Sequence, residues 1–75
     1  MRPGRQINLR QLKLTRREKD IIQCLAEDMT TKEIAELLHL TENTVNTYRK
    51  NLLSKFGKKT SAGLVMAVNA LGLLE

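Results

Sequence analysis

The chain has 75 residues, 41% of them apolar, and a formal net charge of +5, which together indicate one small, folded, basic domain. A single cysteine and a single histidine exclude an internal disulfide and leave no ligand set for a zinc site, so packing alone must hold the fold. The only aromatic residues are Tyr48 and Phe56, which argues against single-stranded nucleic acid binding by base stacking.

The N-terminal segment differs in composition from the rest of the chain. Residues 1–13 carry four basic residues, a Pro-Gly pair and no acid, and they show no sustained hydrophobic period. We therefore expect 1–13 to be a flexible basic arm or linker and 14–75 to form the folded domain. No charged segment followed by an apolar stretch opens the chain, so we expect no signal peptide and a cytoplasmic location.

A capping box predicts the start of the first helix. Thr15 is followed three residues later by Glu18, so each side chain can accept a hydrogen bond from the backbone N–H of the other. Apolar residues then recur on one helical face, which predicts a helix from about 16 to 27. Asp28 should end it, because aspartate tolerates the left-handed conformation better than most non-glycine residues.

The same box recurs at Thr30 and Glu33 and predicts a short second helix that stops near His39. Two residues later, Thr41 can cap a third helix over 42–56. A turn this short between two capped helices is the helix-turn-helix arrangement, in which the second helix of the pair projects from the domain.

Glycines mark the ends of the last two helices. Gly57 follows the third helix where glycine is preferred, and a fourth helix should begin at 61 or 62 and end before Gly72. No segment alternates with the period of two residues that would indicate a strand. We therefore predict an all-α fold, a four-helix bundle that contains a helix-turn-helix.

The third helix has a polar face without acidic residues. At about 100° per residue, Val45, Leu52 and Phe56 share the side that should face the core. The opposite side carries Asn43, Asn46, Thr47, Lys50, Asn51 and Ser54. Amides, hydroxyls and lysine can bond base edges and phosphates in the major groove of DNA, whereas carboxylates would be repelled by the phosphates.

Positive charge is concentrated in the second part of the chain. Residues 1–42 have a net charge of +1 and residues 43–75 of +4, and no acidic residue occurs from 43 to 74. A projecting basic helix fits the wide major groove of B-form DNA but not the narrow one of A-form RNA, so duplex DNA is the expected partner. Two alternatives remain open: a sigma-factor-like promoter-recognition region attached to RNA polymerase, and a helical protein-interaction module with a basic face.

The fourth helix is a second candidate binding surface, because it carries no charge. Its inward residues are predicted to be Leu64, Ala67, Val68 and Leu71. Its outward residues are predicted to be Gly63, Met66, Asn69 and Ala70. Small, uncharged surface residues favour a partner helix at close range, and a two-fold homodimer is the commonest arrangement. Because the area is small, we expect a weak dimer that forms chiefly on DNA.

No residue pattern indicates catalysis. Cys24 lies beside an apolar helical face, which is typical of a buried thiol, and His39 is expected to be a turn residue. Glu33 and Glu36 are expected to be solvated helix residues. We therefore expect a binding protein that is not an enzyme and needs neither a cofactor nor a metal.

Four segments resemble the DNA-binding domain of the LuxR/NarL family of bacterial transcription regulators. They are LTRRE (14–18), TTKEIAELLHLTENTV (30–45), YRKNLLSKFG (48–57) and GLV (63–65). The later part is most similar to the response-regulator branch, in which this C-terminal effector domain follows a phosphoryl-accepting receiver domain. The resemblance implies a four-helix domain whose third helix enters the major groove and whose fourth helix forms a symmetric dimer.

The resemblance also implies individual contacts with DNA. Phosphate contacts are implied for Lys32, Thr41 and Thr44. Contacts with bases or the adjacent backbone are implied for Asn46, Thr47 and Lys50. Lys55 is implied to lie near the sugar-phosphate chain, whereas Asn43 and Asn51 are DNA-binding candidates from the polar face alone.

The chain departs from the usual pattern of the family at several positions. Asn46 and Tyr48 stand where the family usually has Lys and His, so the base preference of its relatives does not transfer. Asp28 stands where the family prefers Gly. Ser61 and Gly63 replace a common Arg and Glu at the start of the fourth helix, which affects how that helix docks.

Overall fold

A computed structural model of the protein describes residues 13–74, which form four helices joined by short turns. The helices are α1 (Arg16–Ala26), α2 (Thr31–Leu38), α3 (Glu42–Phe56) and α4 (Ser61–Ala70). Residues 13–74 contain no strand, so the predicted all-α fold with a helix-turn-helix is confirmed. Except for Lys13, the predicted basic arm lies outside the described residues, as does Glu75.

A threonine precedes and caps each helix. The side-chain oxygens of Thr15, Thr30, Thr41 and Thr60 accept hydrogen bonds from the backbone N–H three residues later, at 3.0 to 3.2 Å. In α1 and α2 the glutamate at that position accepts the N–H of its threonine in return, at 2.9 and 2.8 Å. Both predicted capping boxes are confirmed, and they place the starts of α1 and α2 as expected.

Each helix is followed by a residue in the left-handed conformation. Asp28 and His39 have φ of 62° and 59°, and Gly57 and Gly72 have φ of 65° and 68°. After each of them, the next backbone N–H bonds a carbonyl of the last helical turn five residues back, at 2.9 to 3.2 Å. The predicted helix ends at Asp28, His39 and Gly57 are therefore confirmed.

The core takes apolar side chains from all four helices. Those exposed by no more than 1% are Ile21, Ile22, Ile34, Val45, Leu52, Leu64 and Val68. Helix α3 contacts each of the other three helices, so one of its sides is held by the domain. The opposite side of α3 carries exposed residues.

The C-terminal end of α4 differs from the prediction. Leu71, which was expected to face inward, is 44% exposed. The reason is that α4 ends at Ala70 and the chain reverses direction at Gly72. As a result Leu73 and Leu74, and not Leu71, pack half-buried against the core. Among the helices of residues 13–74, none is long and apolar enough to cross a membrane.

Candidate nucleic-acid interface

The side of α3 that faces away from the core is polar and exposed. Its exposed residues are Asn43, Thr47, Lys50, Asn51 and Ser54. The predicted free face is thus present for five of its six residues, and no carboxylate follows Glu42 on this helix. The side-chain hydroxyl of Thr47 donates its proton to the backbone oxygen of Asn43 at 3.0 Å, so this oxygen can still accept a hydrogen bond.

A shallow groove of about 260 Å³ runs along one flank of this face. It is lined by Asn43, Thr44, Thr47, Tyr48 and Asn51. Tyr48 is half-buried and forms part of the wall of the groove. A phenol beside two amides and two hydroxyls gives this flank donors, acceptors and one apolar ring face.

Asn46 is the exception on the polar face, because it is half-buried and engaged within the protein. Its side-chain oxygen accepts from Nη2 of Arg49 at 2.8 Å and from the hydroxyl of Thr31 at 3.4 Å. The expectation of a freely exposed amide is therefore wrong. The spacing of Asn46 and Arg49, three residues apart on one helix, could have indicated the first contact, but no local pattern indicates the second.

The residues implied to contact phosphates lie at the starts of α2 and α3. Lys32 is exposed in the first turn of α2. At the start of α3, the hydroxyl of Thr41 donates to the hydroxyl of Thr44 at 2.9 Å and accepts the backbone N–H of Thr44 at 3.1 Å. Helix starts carry partial positive charge, so these positions suit a phosphate oxygen.

Lys55 is engaged inside the protein. Its ammonium donates to the backbone oxygen of Lys13 at 3.0 Å and lies 3.6 Å from Oε1 of Glu18. These contacts tie the C-terminal half of α3 to the start of α1. Glu18 also closes the first capping box, so one carboxylate serves both the cap and the link to α3.

The described residues contain a buried thiol but no cluster that could hold a metal ion. Burial raises the pKa of the Cys24 thiol, and the nearby carboxylates of Glu27 and Asp20 raise it further, so this thiol stays neutral at physiological pH. Within residues 13–74, no group of His, Cys, Asp and Glu side chains is arranged to hold a metal ion.

The outward face of α4 has the predicted composition with one change. Met66 is 72% exposed, and Asn69 and Ala70 are also exposed. Gly63 was predicted to face outward, but it is half-buried. It lies in the first turn of α4, where its N–H donates to the hydroxyl oxygen of the capping residue Thr60 at 3.0 Å. A Cβ at Gly63 would approach that hydroxyl to 3.2 Å, which is a tight contact.

Comparison with known proteins identifies this arrangement of helices. The family described as bacterial regulatory proteins, luxR family, matches residues 12–68. The chain belongs to the LuxR family. A LuxR-family relative, the spore germination protein GerE of Bacillus subtilis, is 39% identical over 62 residues, which are 83% of this chain and 84% of GerE. The solved structure of the transcription factor GerE superimposes with a TM-score of 0.77, at 34% identity, over 83% of this chain and 92% of that one.

Other LuxR-type relatives are longer than this chain. The transcriptional regulatory protein MctR of Rhizobium johnstonii is 48% identical over 52 residues, which are 69% of this chain and 24% of MctR. The uncharacterized response regulatory protein YgeK of Escherichia coli is 37% identical over 60 residues, 80% of this chain and 41% of YgeK. The chain thus spans about a quarter of MctR and most of GerE, and it carries the LuxR-type helix-turn-helix domain of transcription regulators.

Proposed function

We propose that the chain binds duplex DNA at specific sequences, with α3 in the major groove, as the DNA-binding domain of a bacterial transcription regulator. The observation that carries this proposal is the exposed face of α3, which presents amides, hydroxyls and Lys50 without a carboxylate. A helix that reads the major groove needs one side held by its own domain and the other side free for DNA. Helix α3 meets this requirement, because it packs against the other three helices on one side and is exposed on the other.

The contacts we propose divide into two classes. Base or adjacent backbone contacts are assigned to Asn43, Asn46, Thr47, Lys50 and Asn51. Phosphate contacts are assigned to Lys32, Thr41 and Thr44, which lie at helix starts. Lys55 is assigned an indirect role, because its ammonium already bonds Lys13 and Glu18. Phosphate contacts set position and affinity, and base contacts set the sequence that is preferred.

The first experiment is selection of binding sites from a randomised duplex library, followed by affinity measurements on the selected site. Lys50→Ala should weaken binding to that site by about 1 to 3 kcal/mol and relax its preference, because a base contact is lost. Lys32→Ala should weaken all duplexes alike. Arg16→Ala removes the same charge from an exposed position on α1 and should leave the preference unchanged. A library that shows no enrichment would contradict the proposal.

The proposal also includes a second copy of the chain as a partner and a role within a response regulator. The uncharged outward face of α4, with Met66 at its centre, supports a weak two-fold homodimer on DNA. The name of YgeK, a response regulatory protein, supports a role as the output domain of a response regulator. In that role we expect the domain to act in the cytoplasm, with RNA polymerase as a further partner and without catalysis of its own.

A further inference from the structure

The side-chain amide of Asn46 is held in one orientation by two donors. A guanidinium group has N–H donors and no acceptor, so the Asn46 atom that lies 2.8 Å from Nη2 of Arg49 has to be the carbonyl oxygen. The hydroxyl of Thr31 bonds the same oxygen at 3.4 Å. Because both contacts use the oxygen, the NH₂ group is the part of this amide that is left for a ligand.

This orientation is set by the fold and not by solvent. Thr31 is the first residue of α2 and lies within the capping box of Thr30 and Glu33, which fixes where the helix begins. Arg49 is half-buried on α3, three residues after Asn46. The two donors therefore belong to two helices, α2 and α3, and both bond the oxygen, so neither of them occupies the NH₂ group.

We infer that Asn46 contacts DNA as a hydrogen-bond donor only and selects guanine. A free asparagine pairs with adenine through both of its polar atoms, accepting from N6 and donating to N7. In this chain the accepting atom is occupied, so the amino group of adenine would meet another donor. Guanine offers two acceptors, N7 and O6, in the major groove. Arg49 and Thr31 act as positioning residues, and the inference depends on the proposed function.

The base pair contacted by Asn46 is found by comparing site selection with the natural protein and with Asn46→Ala. The position at which the variant loses its preference is the one that Asn46 reads. There we expect the natural protein to favour G·C over A·T by about fivefold or more. A preference for A·T at that position, or no position that changes, would overturn the inference. No enrichment by the natural protein would instead contradict the proposed function.

The positioning role is tested by Arg49→Met, which removes the donors while keeping a long side chain. Released from Arg49, the amide can turn its oxygen outward, so the share of A·T should rise at the Asn46 position and at no other. Arg16→Met, which removes the same charge from α1, should keep the natural pattern. If Arg49→Met folds and selects the natural base pair, the positioning role is overturned.

A measurement on the DNA avoids any variant that could disturb folding at Arg49. Guanine at the Asn46 position is replaced by 7-deazaguanine, which lacks the N7 acceptor, and separately by inosine, which lacks only the minor-groove amino group. The first replacement should weaken binding of the natural protein about fivefold and leave Asn46→Ala almost unaffected, and inosine should change neither. Equal losses for both proteins with 7-deazaguanine would overturn the inference.

Discussion

Asp28 occupies a backbone conformation that a glycine adopts without steric cost. Its φ of 62° lies in the left-handed region, where the Cβ of an L-residue crowds the following carbonyl. We expect Asp28→Gly to raise the free energy of unfolding by about 0.5 to 1 kcal/mol, measured by urea denaturation followed by circular dichroism. The neighbouring Glu27 has φ of −90°, so Glu27→Gly relieves no strain and should lower stability. Equal responses of the two variants would contradict this explanation.

Cys24 links the stability of the domain to alkaline pH. Its folded-state pKa is raised by burial first and by Glu27 and Asp20 second. An acid whose pKa is higher in the folded state stabilises the fold below its unfolded pKa, about 8.5 for a thiol, and this contribution is lost as pH rises towards the folded pKa. Stability should therefore fall as the pH rises above about 8.5. Cys24→Ala, compared by urea denaturation across that range, should show a smaller fall, and an identical fall would exclude this role.

At the scale of the helices, Lys55 joins α3 to the start of α1. Its side chain is 26% exposed and that of Glu18 is 18% exposed, so their ion pair is less screened than one at the surface. We expect Lys55→Met to lower the free energy of unfolding by about 1 kcal/mol, because an ion pair and a hydrogen bond are lost. Thermal unfolding of this variant should be compared with that of Lys58→Met, which removes the same charge at an exposed position in the turn after α3.

DNA binding by the same two variants separates a structural from a direct role of Lys55. A structural role predicts that Lys55→Met loses stability and that its affinity for every duplex falls together as α3 loosens. If Lys55→Met keeps its stability and loses only affinity, the lysine contacts the sugar-phosphate chain directly, as the resemblance implies.

The helices could be predicted from the sequence because their boundaries are signalled locally. The start of α3 at Glu42 and its end before Gly57 depend on bonds between residues three to five positions apart, and both were predicted. The engagement of Asn46 by Thr31, and of Lys55 by Lys13, joins residues separated by 15 and 42 positions. A helical wheel treats one helix at a time, so it predicts which side is polar but not which polar groups are already bonded.

At the scale of the whole molecule, our proposal of a dimer on DNA rests on the exposed face of α4. Met66 is 72% exposed on a helix without charge, so a two-fold partner would bring the two Met66 side chains near each other. We expect Met66→Glu to lower affinity for a duplex with two half-sites about tenfold, because like charges would repel, and to leave binding to a single half-site almost unchanged.

The matched control for Met66→Glu is Leu37→Glu on α2, where another exposed apolar residue, 57% exposed, gains the same charge. This control should change binding to both duplexes by the same factor, since α2 is not expected to pair with a second copy. Titrations of the two duplexes at one salt concentration make the comparison. Equal losses on both duplexes for Met66→Glu would argue against a dimer through α4.

The threonine at the start of each helix and the left-handed residue after it also bear on how quickly the domain folds. These boundary bonds span only three to five residues, so they need no contact between distant parts of the chain. Chains dominated by such local contacts fold within microseconds to milliseconds. Temperature-jump relaxation should therefore show a single fast phase. A molecule that unfolds transiently would then refold α3 before a protease could cleave the chain.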